Sequence, residues 1–122
     1  MKTRLSLFTV ASLVFLLSCK KEDAGRVNIE YQLQTSSITG DHFFVSYLNN
    51  TADTIIEHQH PGWTQAFTVT KPFNAYLKAE VNPIDTYEFT IRILVDGQVV
   101  AQDSASTASG AVQTISIAYH AN

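Results

Sequence analysis

The sequence predicts an all-β protein, an antiparallel sandwich of about seven strands. Three observations carry this expectation. Beyond residue 26, apolar side chains fall at every second position in a series of short segments. Turn-forming residues separate those segments about every 8 to 12 residues. No window of about eleven or more residues there repeats its apolar groups at helical spacing. The 122-residue chain, 45% hydrophobic and 16% charged, fits one domain and is too apolar for a disordered tail.

The segments can be taken in order. Val27, Ile29, Tyr31 and Leu33 alternate with Asn28, Glu30, Gln32 and Gln34, which describes a strand with one buried face. Phe43 to Leu48 carries apolar groups on both faces, with Phe43, Val45 and Tyr47 opposing Phe44 and Leu48, and is expected to be a central strand. Thr54 to His60 and Gln65 to Lys71 follow, the latter with Phe67 and Val69 set between threonines. Ala75, Leu77, Ala79 and Val81 then share one face of a fifth strand, with Tyr76, Lys78 and Glu80 on the other.

The clearest pattern is Tyr87 to Val95, and it runs directly into Asp96-Gly97. A type I′ turn needs positive φ at both central residues, which Asp and Gly tolerate, so Gln98 to Gln102 is expected to fold back as a hairpin. A strict two-residue loop would pair Leu94 with Val99 and Ile93 with Val100. Ser104 to Gly110 reads as a small-residue loop, and Ala111 to His120 as the last strand. Pro61, Pro72 and Pro83 fall just outside the strands. Short strands at this spacing argue for an immunoglobulin-like β-sandwich over residues 27 to 121, with a small barrel as the alternative. A domain of roughly 95 residues buries roughly 65% of its unfolded surface, enough to stand without staples.

The N-terminus reads differently. Residues 1 to 18 join a basic start, Lys2 and Arg4, to the apolar run Leu5 to Leu17, as in a secretory signal peptide and short of the ~20 residues that span a bilayer. Leu16, Leu17, Ser18 and Cys19 resemble a bacterial lipobox, in which the cysteine sulfur accepts a diacylglyceryl group. Small Ser18 suits the cleavage site, whereas Leu17 is larger than the residue usual there. Cys19 is the chain's only cysteine, so no intramolecular disulfide is available and packing must hold the domain. One acyl chain anchors a protein marginally and two or more hold it durably. Membrane attachment through Cys19 is therefore expected.

Residues 19 to 26 form the lipidated cysteine and a polar tether. Lys20, Lys21, Glu22 and Asp23 resemble the start of surface lipoproteins of the Bacteroidetes group, which implies outer-membrane localisation with export to the cell surface. A plain solvated spacer is the alternative. From residue 27 onward three basic groups, Lys71, Lys78 and Arg92, face nine acidic ones, and no basic stripe exists to neutralise phosphates. Nucleic acid is not expected as a partner.

Val27-x-x-x-Tyr31-x-Leu33, Val45-Ser46-Tyr47-Leu48-Asn49, Pro61-Gly62-Trp63, Leu77-Lys78-Ala79 and Ile91-Arg92-Ile93-Leu94-Val95-Asp96-Gly97-Gln98-Val99 occur in this order. Together, over residues 27 to 119, they resemble the soluble domain of the MmpS family of mycobacterial membrane proteins and related lipoproteins. The resemblance implies a small sandwich outside the cytoplasm, accessory to a lipid or siderophore exporter of the RND class. The family's transmembrane helix and cysteine pair have no counterpart here. The resemblance implies no catalytic residues.

Little else suggests chemistry. His58 and His60 lie two apart on one strand and could share a metal, but Glu57 points to the opposite face and His42 and His120 are distant in sequence. An exposed polar edge strand accounts for the pair, and no metal or cofactor is expected. Ser104, Ser106 and Ser109 have no G-x-S-x-G elbow, while Asp85, Glu88, Asp96 and Asp103 flank strands and turns that explain them. No enzyme is predicted. Trp63, opening a strand after Pro61-Gly62, either seals the end of the core or stands exposed as a platform. The expected function is a non-enzymatic envelope module that docks on another envelope protein through a sheet edge or the loops at one end. The alternative is a surface binder of glycan or lipid, with Trp63, Phe73 and Tyr76 as its contact surface.

Overall fold

The computed structural model describes residues 25 to 122. The signal peptide over 1 to 18, Cys19 and most of the polar tether lie outside the described residues. Eight strands follow one another as β1 (Arg26–Thr35), β2 (Phe43–Leu48), β3 (Thr54–Gln59), β4 (Thr64–Thr70), β5 (Phe73–Val81), β6 (Glu88–Val95), β7 (Gln98–Ser106) and β8 (Gln113–Ala121). They form two four-stranded sheets, ordered β4-β1-β6-β7 and β3-β2-β5-β8, and every pairing is antiparallel. The all-β sandwich is thus as expected, with eight strands and two open sheets in place of a barrel. The strand order differs from the immunoglobulin arrangement, in which the first strand pairs with the second. Here β1 is central in one sheet and β2 central in the other.

Alternation sets the core. Val27, Ile29, Tyr31 and Leu33 of β1 and Phe89, Ile91 and Ile93 of β6 face Phe43, Val45 and Tyr47 of β2 and Ala75, Leu77, Ala79 and Val81 of β5, all buried. β5 begins two residues earlier than the pattern suggested, because Phe73 pairs with Ala121 of β8 and turns inward. The Tyr31 ring lies against Tyr47 and Phe67, with centroids 5.5 and 5.6 Å away. Its hydroxyl crosses the sandwich to donate to the Leu48 carbonyl at 2.8 Å, and it accepts the Tyr76 N–H at 3.4 Å. Burial pushes the Tyr31 hydroxyl up to about 12.

The hairpin after β6 has the expected turn, with Asp96 at φ 49° and Gly97 at φ 82°. Leu94 pairs with Val99 as a two-residue loop requires, but Ile93 pairs with Ala101, leaving Val100 as the extra residue of a β-bulge. The slip of one residue changes which side chains face inward. Val100, Ala101 and Ala105 all pack on the core, whereas unbroken alternation would have aimed Gln102 and Ser104 there. β7 also continues to Ser106, through the segment expected to be loop, because Thr90 and Glu88 of β6 pair with Ser104 and Ser106.

Connectivity gives the sandwich two unlike ends. Chain crossings between sheets at 36–42, 60–63, 82–87 and 107–112 all lie where β1 finishes. The opposite end holds the two hairpin turns, the Lys71-Pro72 connection and both Arg26 and Ala121, the outer ends of β1 and β8. Tyr31→Phe keeps the ring and removes the hydroxyl that joins the sheets. It should lower unfolding stability by about 1 to 3 kcal/mol in urea titration without changing the far-ultraviolet circular dichroism spectrum.

Candidate functional site

The end bearing the four crossings is tied together by hydrogen bonds that the strand ladders do not supply. Asp41, only 5% exposed, accepts the Tyr87 hydroxyl at 2.8 Å and the Ile84 N–H at 3.2 Å. Thr39 Oγ1 accepts the Asp41 N–H and donates to Asp85 Oδ2. The buried Thr107 Oγ1 accepts the Tyr87 N–H and donates to the Asp85 carbonyl. Gly110 N–H bonds the Pro83 carbonyl, and Ser36 N–H bonds the Glu88 carbonyl. Loops 36–42, 82–87 and 107–112 are therefore one stapled unit.

Electrostatics at Asp41 follow from those contacts. Burial alone would raise its carboxyl, but the hydroxyl of Tyr87, the N–H groups of Ile84 and Asp85 and the Thr39 hydroxyl outweigh burial and hold it below the usual carboxylate range. Burial, reinforced by the adjoining Asp41 carboxylate, pushes the Tyr87 hydroxyl up. Neither group faces open space where a substrate could be attacked. Their geometry is that of a latch.

The latch holds apolar side chains outward. Ile38 is fully exposed, Ile84 77% and Val112 57% exposed, one on each of the three stapled loops. A shallow groove beside Ile38 is lined by Gln34, Ser36, Thr39, His60 and Pro61. Isolated exposed aliphatics are ordinary, but one on each of three stapled loops makes this end a candidate contact surface. No Lys or Arg lies in the four loops of this end, whereas Asp85 does. Sequence reasoning missed these residues, although a lone aliphatic among small polar turn formers, in Ser-Ser-Ile-Thr-Gly and Asn-Pro-Ile-Asp, was a visible signal.

The aromatic residues expected to share a contact surface are not brought together. Phe73 is 8% exposed, faces the core and meets Phe67 edge-on at 5.9 Å, so it is removed from any platform. Trp63 is partly buried, its ring 5.4 Å from Tyr47, and it closes the core at the corner between β3 and β4. Tyr76 lies on the outer face of the β3-β2-β5-β8 sheet, in a shallow groove with Leu48, Ala118 and His120. That outer face also carries exposed Phe44 and Ile56.

β3 is an edge strand, as expected. His58 and His60 do not form a pair of their own. The His58 ring meets Phe44 edge-on at 4.1 Å, and His60, just past the strand, lies against His42 with ring centroids 4.3 Å apart. The alternate residues of the strand, Glu57 and Gln59, point inward, where Glu57 accepts the Tyr47 hydroxyl at 2.9 Å and the Gln59 amide. Burial, then Glu57, pushes the Tyr47 hydroxyl up to about 12. Among the described residues no helix is long and apolar enough to cross a membrane. Nor do three or more His, Cys, Asp or Glu side chains gather among them in reach of one ion.

No protein-family model matches the chain, and no curated protein matches it. The site is therefore read from its own geometry. Because Asp41 is depressed in the folded state, its contribution is complete above the unfolded carboxylate value of about 4 and is lost as pH falls through the folded value. Asp41→Asn should flatten the acid limb of the stability profile below about pH 4 relative to the parent chain. Tyr87→Phe, which strips one donor from the buried carboxylate, should cost about 1.5 to 3 kcal/mol at pH 7. Urea midpoints measured from pH 2 to pH 7 for the three proteins check both outcomes.

Proposed function

We propose that this protein is a lipid-anchored, non-enzymatic docking module of a bacterial cell envelope. It is held to the outer membrane through Cys19, with its acidic post-cysteine residues directing it to the cell surface. The loop end bearing Ile38, Ile84 and Val112 contacts another envelope protein. The observation that carries this reading is the placement of those three aliphatics on hydrogen-bonded loops at the end opposite Arg26. A ten-residue strand such as β1 is about 33 Å long, so a chain anchored near Arg26 presents these side chains well away from its anchor. Burying each aliphatic in a partner contributes about 1.5 to 3 kcal/mol, and the latch removes the entropy of ordering the loops on binding. The resemblance to the MmpS family suggests an exporter of the RND class as the partner.

A bilayer is a poorer fit to the same surface, because anionic lipid attracts Lys and Arg and this end offers none. The second reading is a binder of glycan or lipid. It rests on the groove around Tyr76 and Leu48, which replaces the surface built on Trp63 and Phe73.

Two measurements test the proposal. Cys19→Ser should leave the protein out of the membrane fraction and without incorporated fatty acid; a membrane-bound variant of normal mature size would remove the anchor from the account. A photoreactive residue placed at Ile84 should give one discrete adduct in cells, lost when Ile38 and Val112 are changed to Ser, while the same group at Thr68 gives none. Adducts that survive those changes, or that form only from position 76, would replace this surface with the second reading.

A further inference from the structure

We propose that His42 and His60 form a two-imidazole binding site for copper(II) at the rim of the β3-β2-β5-β8 sheet. The register requires their juxtaposition. Phe43 pairs with Gln59 and Phe44 with His58, so 42 and 60 are the next opposed positions beyond the ladder, on the outer face shared with Phe44 and His58. Their rings lie 4.3 Å apart at 53°, and both residues are exposed. Imidazole nitrogens on rings this close can reach one ion at the usual metal–nitrogen distance of about 2.0 Å through side-chain rotation alone.

The other two histidines are otherwise engaged. The His120 ring bonds Asn74 Oδ1 on the far part of the sheet, and the His58 ring packs edge-on against Phe44. Neither the His42 nor the His60 imidazole has a hydrogen-bond partner among the described residues, and neither ring is needed by the core. Copper(II) is the cation that fits. Two imidazoles are too few to close a tetrahedral zinc site, whereas copper(II) has the highest affinity of the divalent series and a tetragonal plane that two cis imidazoles and solvent can fill. The remaining positions of such an ion face solvent beside the Ser36, Thr39 and Pro61 groove.

The test titrates copper(II) sulfate into the full chain and into His42→Ala, His60→Ala and His58→Ala variants, with calorimetry for stoichiometry and electron paramagnetic resonance for the ligands. All three positions are exposed, so the variants should fold as the parent does, and far-ultraviolet circular dichroism checks this. One copper ion per chain with coupling to two imidazole nitrogens is expected in the parent and in His58→Ala. Loss of saturable binding is expected in each of the other two. Unaltered copper binding in His42→Ala or His60→Ala, loss of binding in His58→Ala, or a parent signal with one nitrogen or none overturns the assignment.

Discussion

Among the described residues, the Tyr31 hydroxyl is the side-chain group that hydrogen-bonds through the middle of the sandwich from one sheet to the other, and Tyr47 and Phe67 pack around its ring. A β-sandwich with no disulfide has only side-chain interdigitation to hold its two sheets in register. Tyr31 adds a directional contact. It stands in the central strand of one sheet and bonds the backbone of both central strands of the other. Its ring fills the space that Tyr47, Phe67 and, through them, Trp63 and Phe73 enclose. A phenol suits this position because its ring contributes apolar burial while its hydroxyl satisfies a carbonyl at the end of β2.

Connectivity then makes the two ends of the molecule physically different. Four of the five passages between sheets occur at one end, so four segments of irregular backbone meet there and their polar groups need partners. Asp41, Thr39, Tyr87 and Thr107 provide them, which is why a carboxylate can be buried in a domain with little positive charge. The same bonds dictate the backbone path of each loop. Ile38 and Ile84 are consequently held in solvent, where an unconstrained loop would fold them back.

The two outer faces are also unlike. The β4-β1-β6-β7 sheet turns Asn28, Glu30, Gln32, Gln34, Thr68, Thr90, Arg92 and Ser104 outward, a mainly polar surface interrupted by Val99. The other sheet exposes Phe44 and Ile56 and carries a partly buried Tyr76, beside histidines. Its edge strand β3 turns Glu57 inward under Tyr47 and Gln59, an arrangement that discourages another strand from adding to the edge. Contact with other molecules is thereby steered away from strand addition at that edge.

Period-two alternation is a local property, so the sequence by itself determined most of the strands, the inner faces of β1, β5 and β6, the central place of β2 and the Asp96-Gly97 turn. It could not determine which strands lie side by side, because antiparallel partners are selected by burial summed over the whole sandwich. Only the tertiary structure decided that Val100 bulges, that Phe73 turns inward opposite Ala121, and that His42 meets His60 across a ladder whose register is set several residues away. The latch was equally beyond reach of the sequence: Asp41 in Thr-Gly-Asp-His reads as an ordinary turn residue until Tyr87, more than forty positions later, is folded against it. Local periodicity specifies which side of a strand is buried, and long-range pairing specifies what it is buried against.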